Sequence, residues 1–320
     1  MRILVTGGAG FIGSHVVDRL VAADHHVAVI DNLSSGLKEH INGKAVFYRC
    51  DIGDTERLER IFAAERPDYV IHHAAQISVQ NSLSDPLQDA RVNIMGTLNL
   101  LNCCRDFGVR KIIYASSAAV YGNPEYLPLD EKHSLNPLSP YGVSKHTPEH
   151  YIQMYAGAYG LNYTVLRYAN AYGPRQDALG EGGVVSIFID RLLQENPVVI
   201  YGDGEQTRDF VYVEDLAEAN LMALERGDYG IYNIGTSVRT SVNSLLEAIN
   251  EINGSHARPV HKPARPGDIR HSYMCGEKAR LELGWGPKFS LYEGLELTLK
   301  YYLNLYTGKG GMEGAGSEAF

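Results

Sequence analysis

An apolar run at Ile3–Thr6 leads straight into TGGAGFIG, residues 6–13. Beyond it, Phe11, Ile12, Val16, Leu20 and Ala23 recur at helical spacing. Val27–Ile30 then reads as a second strand, and Asp31 closes it. This order predicts a strand, a glycine turn, a helix, a strand and an acid. Glycines let backbone approach a pyrophosphate closely, and a helix N-terminus offers it unpaired N–H groups. The acid 18 residues beyond Gly13 suits a ribose 2′-hydroxyl and would repel a 2′-phosphate, which favours NAD over NADP. Glycines alone would signal only a turn. The strand before them, the helix after them and the acid in register make the unit specific.

The alternation continues along the chain. Residues 45–50, AVFYRC, form a strand ending at Asp51-Ile52, suited to lie along an adenine. A helix follows, with Asp54 or Thr55 as its cap and Pro67 as its stop. YVIHHAA, residues 69–75, is the next buried strand. His72 and His73 face opposite sides of it, which argues against a metal site, and Ala74 and Ala75 leave room for a ligand. Asp85-Pro86 opens a helix to about residue 106, KIIYASS is the strand 111–117, and a helix with Pro148 inside it spans 140–159. LNYTVLRYA, 161–169, is a further strand. From Asn170 a Gly- and Pro-rich loop begins. Helices are expected at 184–194, 214–226, 242–252 and 291–306, with short strands between 197 and 213 and at 230–235.

Alternation at this spacing predicts an α/β fold: a Rossmann-type doubly wound parallel sheet with ligands at the strands' carboxyl ends. The NAD-binding domain is expected at 1–169 plus 209–235. A smaller α/β substrate-binding domain would take 170–208 plus 236–307, and 308–320 would be a disordered tail. A net charge of −9 disfavours a nucleic-acid surface. No run approaches the roughly 18 apolar residues of a membrane span, and the N-terminal apolar run is too short for a signal peptide. Cys50, Cys103, Cys104 and Cys275 show no Cys-x-x-Cys spacing, which points to reduced thiols and a cytoplasmic protein.

The chemistry is expected between 114 and 145. Tyr141 and Lys145 are four apart, so on a helix they share a face. A phenol is a poor base at neutral pH, and a neighbouring cation favours its ionised form. Bringing it to about 7 requires roughly 4 kcal/mol. One ammonium and the positive ring of an oxidised nicotinamide together can supply that. Ser117, at the end of the apolar strand, can bond a sugar oxygen and relay a proton. With 21 tyrosines, a Tyr-x-x-x-Lys pair arises by chance about once, so alone it reads as a solvated helix face. Its weight comes from the company it keeps.

TGGAGFIG, Asp31, Asp51-Ile52, SSAAVYG, Tyr141-x-x-x-Lys145 and LRYANAYGPRQ together resemble the extended short-chain dehydrogenase/reductase family, and within it the nucleotide-sugar epimerases. The resemblance covers about residues 1–307. It implies that Gly7, Gly10, Phe11, Ile12 and Gly13 hold the pyrophosphate of NAD, that Asp31 and Asn32 hold the ribose, and that Asp51 and Ile52 hold adenine. Ala74, Ala75 and Asn93 would line the cofactor path. Ser117 and Tyr141 would handle the sugar hydroxyl and Lys145 the nicotinamide ribose. Asn170, Arg208, Arg265 and Asp268 would meet the nucleotide end of the sugar nucleotide. The implied reaction oxidises a UDP-hexose at C4, lets the 4-keto sugar turn over, and reduces it on the other face. The implied partners are the UDP-sugar and a second copy, paired through helices 86–106 and 140–159 with Val92, Met95, Leu98, Leu101, Tyr151, Met154 and Tyr155 as apolar faces. Isoleucine at 77 departs from a lysine that many relatives carry.

Four positions bear on which relative this is. Ala118 and Ala119 stand where dehydratases and decarboxylases carry acids, and alanine cannot move a proton. Asn170 fits hexose epimerases better than glucuronate epimerases. Ser272 falls where the family limits space at the sugar's C2 substituent, and a small residue there implies that UDP-N-acetylglucosamine is admitted. The alternatives are a UDP-glucuronate epimerase or decarboxylase, or an inactive NAD-sensing scaffold. A scaffold is expected to have lost Tyr141 or Lys145.

Overall fold

The computed structural model describes residues 1–178, 183–265 and 268–310. Strands β1 Arg2–Thr6, β2 His26–Asp31, β3 Val46–Arg49, β4 Tyr69–His72, β5 Lys111–Ser117 and β6 Asn162–Tyr168 come first. The short strands β7 Asn170–Tyr172, β8 Val199–Tyr201, β9 Thr207–Arg208 and β10 Phe210–Tyr212 follow, then β11 Gly230–Ile234, β12 Thr240–Ser241 and β13 Val260–Lys262. The helices are α1 Phe11–Ala22, α2 Thr55–Glu65, α3 Val79–Ser84, α4 Pro86–Ala90, α5 Gly96–Asp106, α6 Pro140–Tyr159, α7 Val184–Leu193, α8 Val213–Ala223, α9 Val242–Asn253 and α10 Leu291–Gly310.

Seven strands form one sheet in the order β11-β6-β5-β4-β1-β2-β3. Every neighbouring pair is parallel. Parallel strands covered on both faces read as continuous apolar runs, and ILV of β1 and KIIYAS of β5 are buried throughout. One face packs α1 and α8 through Val16, Leu20 and Leu216. The other packs α2, α5 and α6 through Leu58, Phe62, Leu100 and Ile152. The chain leaves β1 toward β3, then returns to β4 on β1's other side. Crossovers diverge there, which opens a crevice at the carboxyl ends of the strands. A separate core of Phe188, Leu245, Leu246 and Leu295 lies among α7, α9 and α10.

Local signals account for the ends of several elements. Asp54 caps α2 by accepting from Arg57 N, and Ser139 caps α6 by accepting from Gly142 N, ahead of Pro140. The expected 86–106 helix is helical but contains a wide π turn at Arg91–Met95. α6 runs unbroken through Pro148.

Three expectations need correction. Residues 170–172 are not loop but β7, which pairs in parallel with β10. Strand β13 went unforeseen because all three of its residues are exposed and carry no apolar pattern. Residues 308–310 are the last of α10 rather than tail, and the remainder of that tail, 311–320, lies outside the described residues.

Candidate active site

The cradle begins where β1 ends. Gly7 has φ +70° and donates its N–H to Ile30 O at 2.8 Å. A Cβ on Gly7 would sit 2.6 Å from Ala74 N, and one on Gly13 would sit 2.1 Å from Gly7 O. Only hydrogen fits at either place, so the loop seats directly on the start of α1. No side chain caps α1, which leaves N–H groups of its first turn open to an anion.

The tips of β2 and β3 supply acids. Asp31 is 8% exposed and accepts from Ala9 N at 3.0 Å and Leu33 N at 2.8 Å. Its two oxygens keep lone pairs for a ligand hydroxyl. Asn32 donates to Asp51 at 2.7 Å, and Asp51 also accepts from Gly53 N. One cleft gathers Gly7, Gly10, Phe11, Ile12 and Gly13 at its floor, Asp31, Asn32, Asp51 and Ile52 at one end, and Ala74, Ala75, Tyr141 and Lys145 at the other. An open helix terminus in the middle, hydroxyl acceptors at one end and a reactive pair at the other fit NAD.

At the reactive end, α6 sets Tyr141 and Lys145 one turn apart beside Ser117, the last residue of β5. Burial lifts the Tyr141 phenol above its usual value, the Ser117 hydroxyl pulls it down, and the charge of Asp89 raises it. Lys145 is 5% exposed, and burial brings its ammonium down to about 8 against the opposing charges of Glu149 and Asp89. Its Nζ lies 4.7 Å from the Tyr114 ring centroid. Desolvation thus penalises the ionised form of both groups. A positive ligand ring would offset that cost for the phenol alone.

Asn93 stands behind the cleft wall rather than in it. It is 2% exposed, its Nδ2 faces Gln76 O, Asp89 Oδ1 and Ser144 Oγ, and its Oδ1 accepts from Gln76 N. Both amide hydrogens are thus taken up within the protein, and the Oδ1 keeps one lone pair. His72 and His73 do face opposite ways. His72 bonds Thr6 and Thr97, whereas His73 bonds Asn220 and stacks on Tyr168. Both are held neutral by burial, His73 at about 4. Among the described residues no group of three or more His, Cys, Asp or Glu is placed to hold a metal.

The other predicted residues lie outside this cleft, around the short ribbons. Arg208, on β9, donates to Thr207 O at 2.9 Å, and burial lowers its guanidinium against the charge of Asp268. Ser272 donates its N–H to Thr207 O at 3.1 Å, which places it beside β9. Arg265 is exposed over the Tyr201 ring at 4.0 Å. Asn170 is exposed at the start of β7 and its N–H is held by Asp209 O. Ile77 is 60% exposed at the cleft rim.

Sequence reasoning missed the groups that hold these pieces together. Asp209 is 1% exposed and accepts from Thr236 N and Oγ1, Ser237 N and Met274 N, pinning two distant segments to its own. Behind β5, Ser116 donates to Glu149 at 2.6 Å, Glu149 pairs with Arg167, and Arg167 donates to Tyr121. An Arg in an apolar strand and a Glu inside a buried helix face were the available signals, since such charges survive burial only when paired.

Residues 3–235 match the NAD dependent epimerase/dehydratase family. The UDP-glucose 4-epimerase of Thermotoga maritima, solved with UDP-glucose, is 51% identical, with a TM-score of 0.94 over 96% of this chain and 100% of that one. The UDP-glucose 4-epimerase of Thermus thermophilus, solved with NAD, is 45% identical, with a TM-score of 0.91 over 95% and 99%. The UDP-N-acetylglucosamine 4-epimerase of Methanobrevibacter ruminantium M1 is 37% identical, with a TM-score of 0.91 over 95% and 98%.

Proposed function

The chain belongs to the NAD-dependent epimerase/dehydratase family, and from that premise we propose that it is an isomerase interconverting UDP-hexoses at C4, UDP-glucose with UDP-galactose. One observation carries the reading: Tyr141, with Ser117 beside its phenol, and Lys145 line the same cleft as the glycine turn and Asp31, residues suited to a dinucleotide.

NAD, when bound, would supply the reversible hydride chemistry at C4, and Gly7, Gly10, Gly13 and Asp31 are the residues that would hold it. The chain's own groups do the rest. Tyr141 removes the proton from the 4-hydroxyl, directly or through Ser117, and gives it back on the return step. Lys145 holds a positive charge one turn away and favours the phenolate. The alanines at 118 and 119 leave no side chain there to drive elimination or decarboxylation. Arg208 and Arg265 are the cations for the diphosphate, and guanidinium forks suit phosphate oxygens. They explain how a chain with net charge −9 holds an anion. Anchored there, the keto sugar can turn while the nucleotide stays in place.

A second substrate class follows from Ser272. A serine leaves room at the C2 substituent, so UDP-N-acetylglucosamine should be converted as well, as the name of the Methanobrevibacter relative also suggests. The test incubates purified protein with UDP-galactose, then with UDP-N-acetylgalactosamine, without added NAD, and follows the anomeric protons by NMR. Conversion of both is expected. An unchanged UDP-galactose spectrum sinks the epimerase reading. Conversion of UDP-galactose alone sinks only the wider pocket.

The protein is read as a cytoplasmic homodimer. No described helix is long and apolar enough to cross a membrane, and the four cysteines are unpaired. Leu87, Met95, Val143 and Met154 are exposed at 76, 55, 47 and 49% on the two helical stretches expected to pair. Exposed apolar side chains grouped this way favour a partner surface. Leu101 and Tyr155, also expected on that face, point into the monomer core instead. Sedimentation at micromolar concentration should give twice the 35.3 kDa chain mass.

A further inference from the structure

A buried acid lies behind the reactive pair. Asp89, on α4, is 1% exposed. Its Oδ1 accepts from Gln76 Nε2 at 2.7 Å and from Asn93 Nδ2 at 3.2 Å. Its Oδ2 is buried with no hydrogen-bond partner among the described residues. An unpaired carboxylate oxygen is costly in a protein interior unless a positive charge nearby offsets it. The residues it touches are not remote. Gln76 follows Ala75 of the cleft wall, and Asn93 bonds Ser144, the residue before Lys145. Both run back to one carboxylate in a helical stretch that widens into a π turn, a form often found at functional sites.

The charged and titratable groups around Tyr141 and Lys145 are few. β4 contributes His72 and His73, both kept neutral by burial. β5 contributes Tyr114, neutral for the same reason. β6 contributes Tyr168, also kept neutral by burial, and Arg167, which is paired with Glu149. α6 contributes His146, its charged form disfavoured by burial, and Glu149, which pairs with Arg167 and still sets the larger of the two opposing charges on Lys145. Asp89 remains as the carboxylate without a cationic partner whose field reaches Tyr114, Tyr141 and Lys145 alike.

We propose that Asp89 is a positioning residue for the epimerase reaction: through Gln76 and Asn93 it fixes the cleft wall against α6, and its buried carboxylate is a second counter-charge, beside Glu149, for the Lys145 ammonium. It touches neither sugar nor cofactor. It acts by keeping Lys145 protonated and by setting where the Tyr141–Lys145 pair titrates. Removing a negative charge lowers the pKa of every neighbouring acid, cationic or neutral. Both limbs of the pH–rate profile must therefore move in the same direction.

This inference rests on the epimerase reading, and wild-type turnover in the same assay tests that reading first. The experiment compares pH–rate profiles of wild type, Asp89→Asn and Asp89→Glu in the holoenzyme, with thermal midpoints measured alongside. For Asp89→Asn both limbs are expected to shift toward acid by about one unit. Asp89→Glu, which keeps the charge, should retain the wild-type limbs with a lower plateau. If Asp89→Asn does not fold, Asp89→Ser replaces it. A neutral variant that loses thermal stability but keeps the wild-type limbs overturns the proposal and leaves Asp89 as a structural clamp. So does an Asp89→Glu profile displaced as far as the neutral one. In either case an active wild type leaves the epimerase reading intact.

Discussion

The two ends of the ligand path are built differently. The dinucleotide end hangs on β1, β2 and β4, long parallel strands buried on both faces, and its key contacts are backbone to backbone. The proposed sugar-nucleotide end hangs on two- and three-residue ribbons, and Asn170, Arg265 and Asp268 there are exposed. The first end gains its precision from the core. The second gains it from side chains such as Asp209 that tie loops together. A change at the first end should therefore disturb folding and cofactor retention together. A change at the second should alter substrate affinity and leave the fold alone.

The largest expected effect lies where the two ends meet. Tyr141→Phe removes the proton carrier and nothing else, so kcat should fall about a thousandfold with NAD still bound. Turnover within tenfold of wild type would mean that another group does the proton transfer. Next is Gly13→Ala, whose Cβ would sit 2.1 Å from Gly7 O. It should cost about 1–3 kcal/mol of stability and most of the bound NAD. Gly157→Ala serves as the control, because nothing lies within 4 Å of its added carbon. There, in a helix, alanine should stabilise by up to about 1 kcal/mol. Equal NAD content in the two variants would erase the contrast drawn above.

At the other end, Arg208→Ala should raise KM about 10- to 100-fold through a lost charged hydrogen bond, with kcat and the thermal midpoint changed much less. A comparable loss of thermal stability would place Arg208 among the structural ties instead. Acid gives a separate test of the buried wall. His73 titrates at about 4 in the fold and near 6.5 when unfolded. As pH falls, the unfolded chain takes up that proton first, so its contribution to stability is lost between about 6.5 and 4, by about 3 kcal/mol. Below pH 6 the urea midpoint of wild type should fall more steeply with acid than that of His73→Gln. Parallel curves would remove His73 from the account.

Legibility in the sequence follows the same divide. The glycine turn, Asp31, the buried strands and the Tyr141–Lys145 spacing were readable because each is a local rule: a period, a cap, a steric need. Asn93 was visible as a residue, but its place behind the wall was not, since it depends on how α4 and the π turn meet α6. Strand β7 was hidden because its partner β10 lies 40 residues on, and only pairing reveals it. β13 was hidden because exposed residues leave no pattern.

By itself the sequence determined the strands and helices of the main sheet, the glycine turn and the one-turn spacing of Tyr141 and Lys145, because these follow from neighbours within one or two turns of chain. The tertiary structure alone decided which buried charges face that pair. Asp89 and Lys145 are 56 residues apart, and Asp209 joins Thr236 to Met274. Electrostatics in a dry interior depends on distance through space, and no local period encodes it.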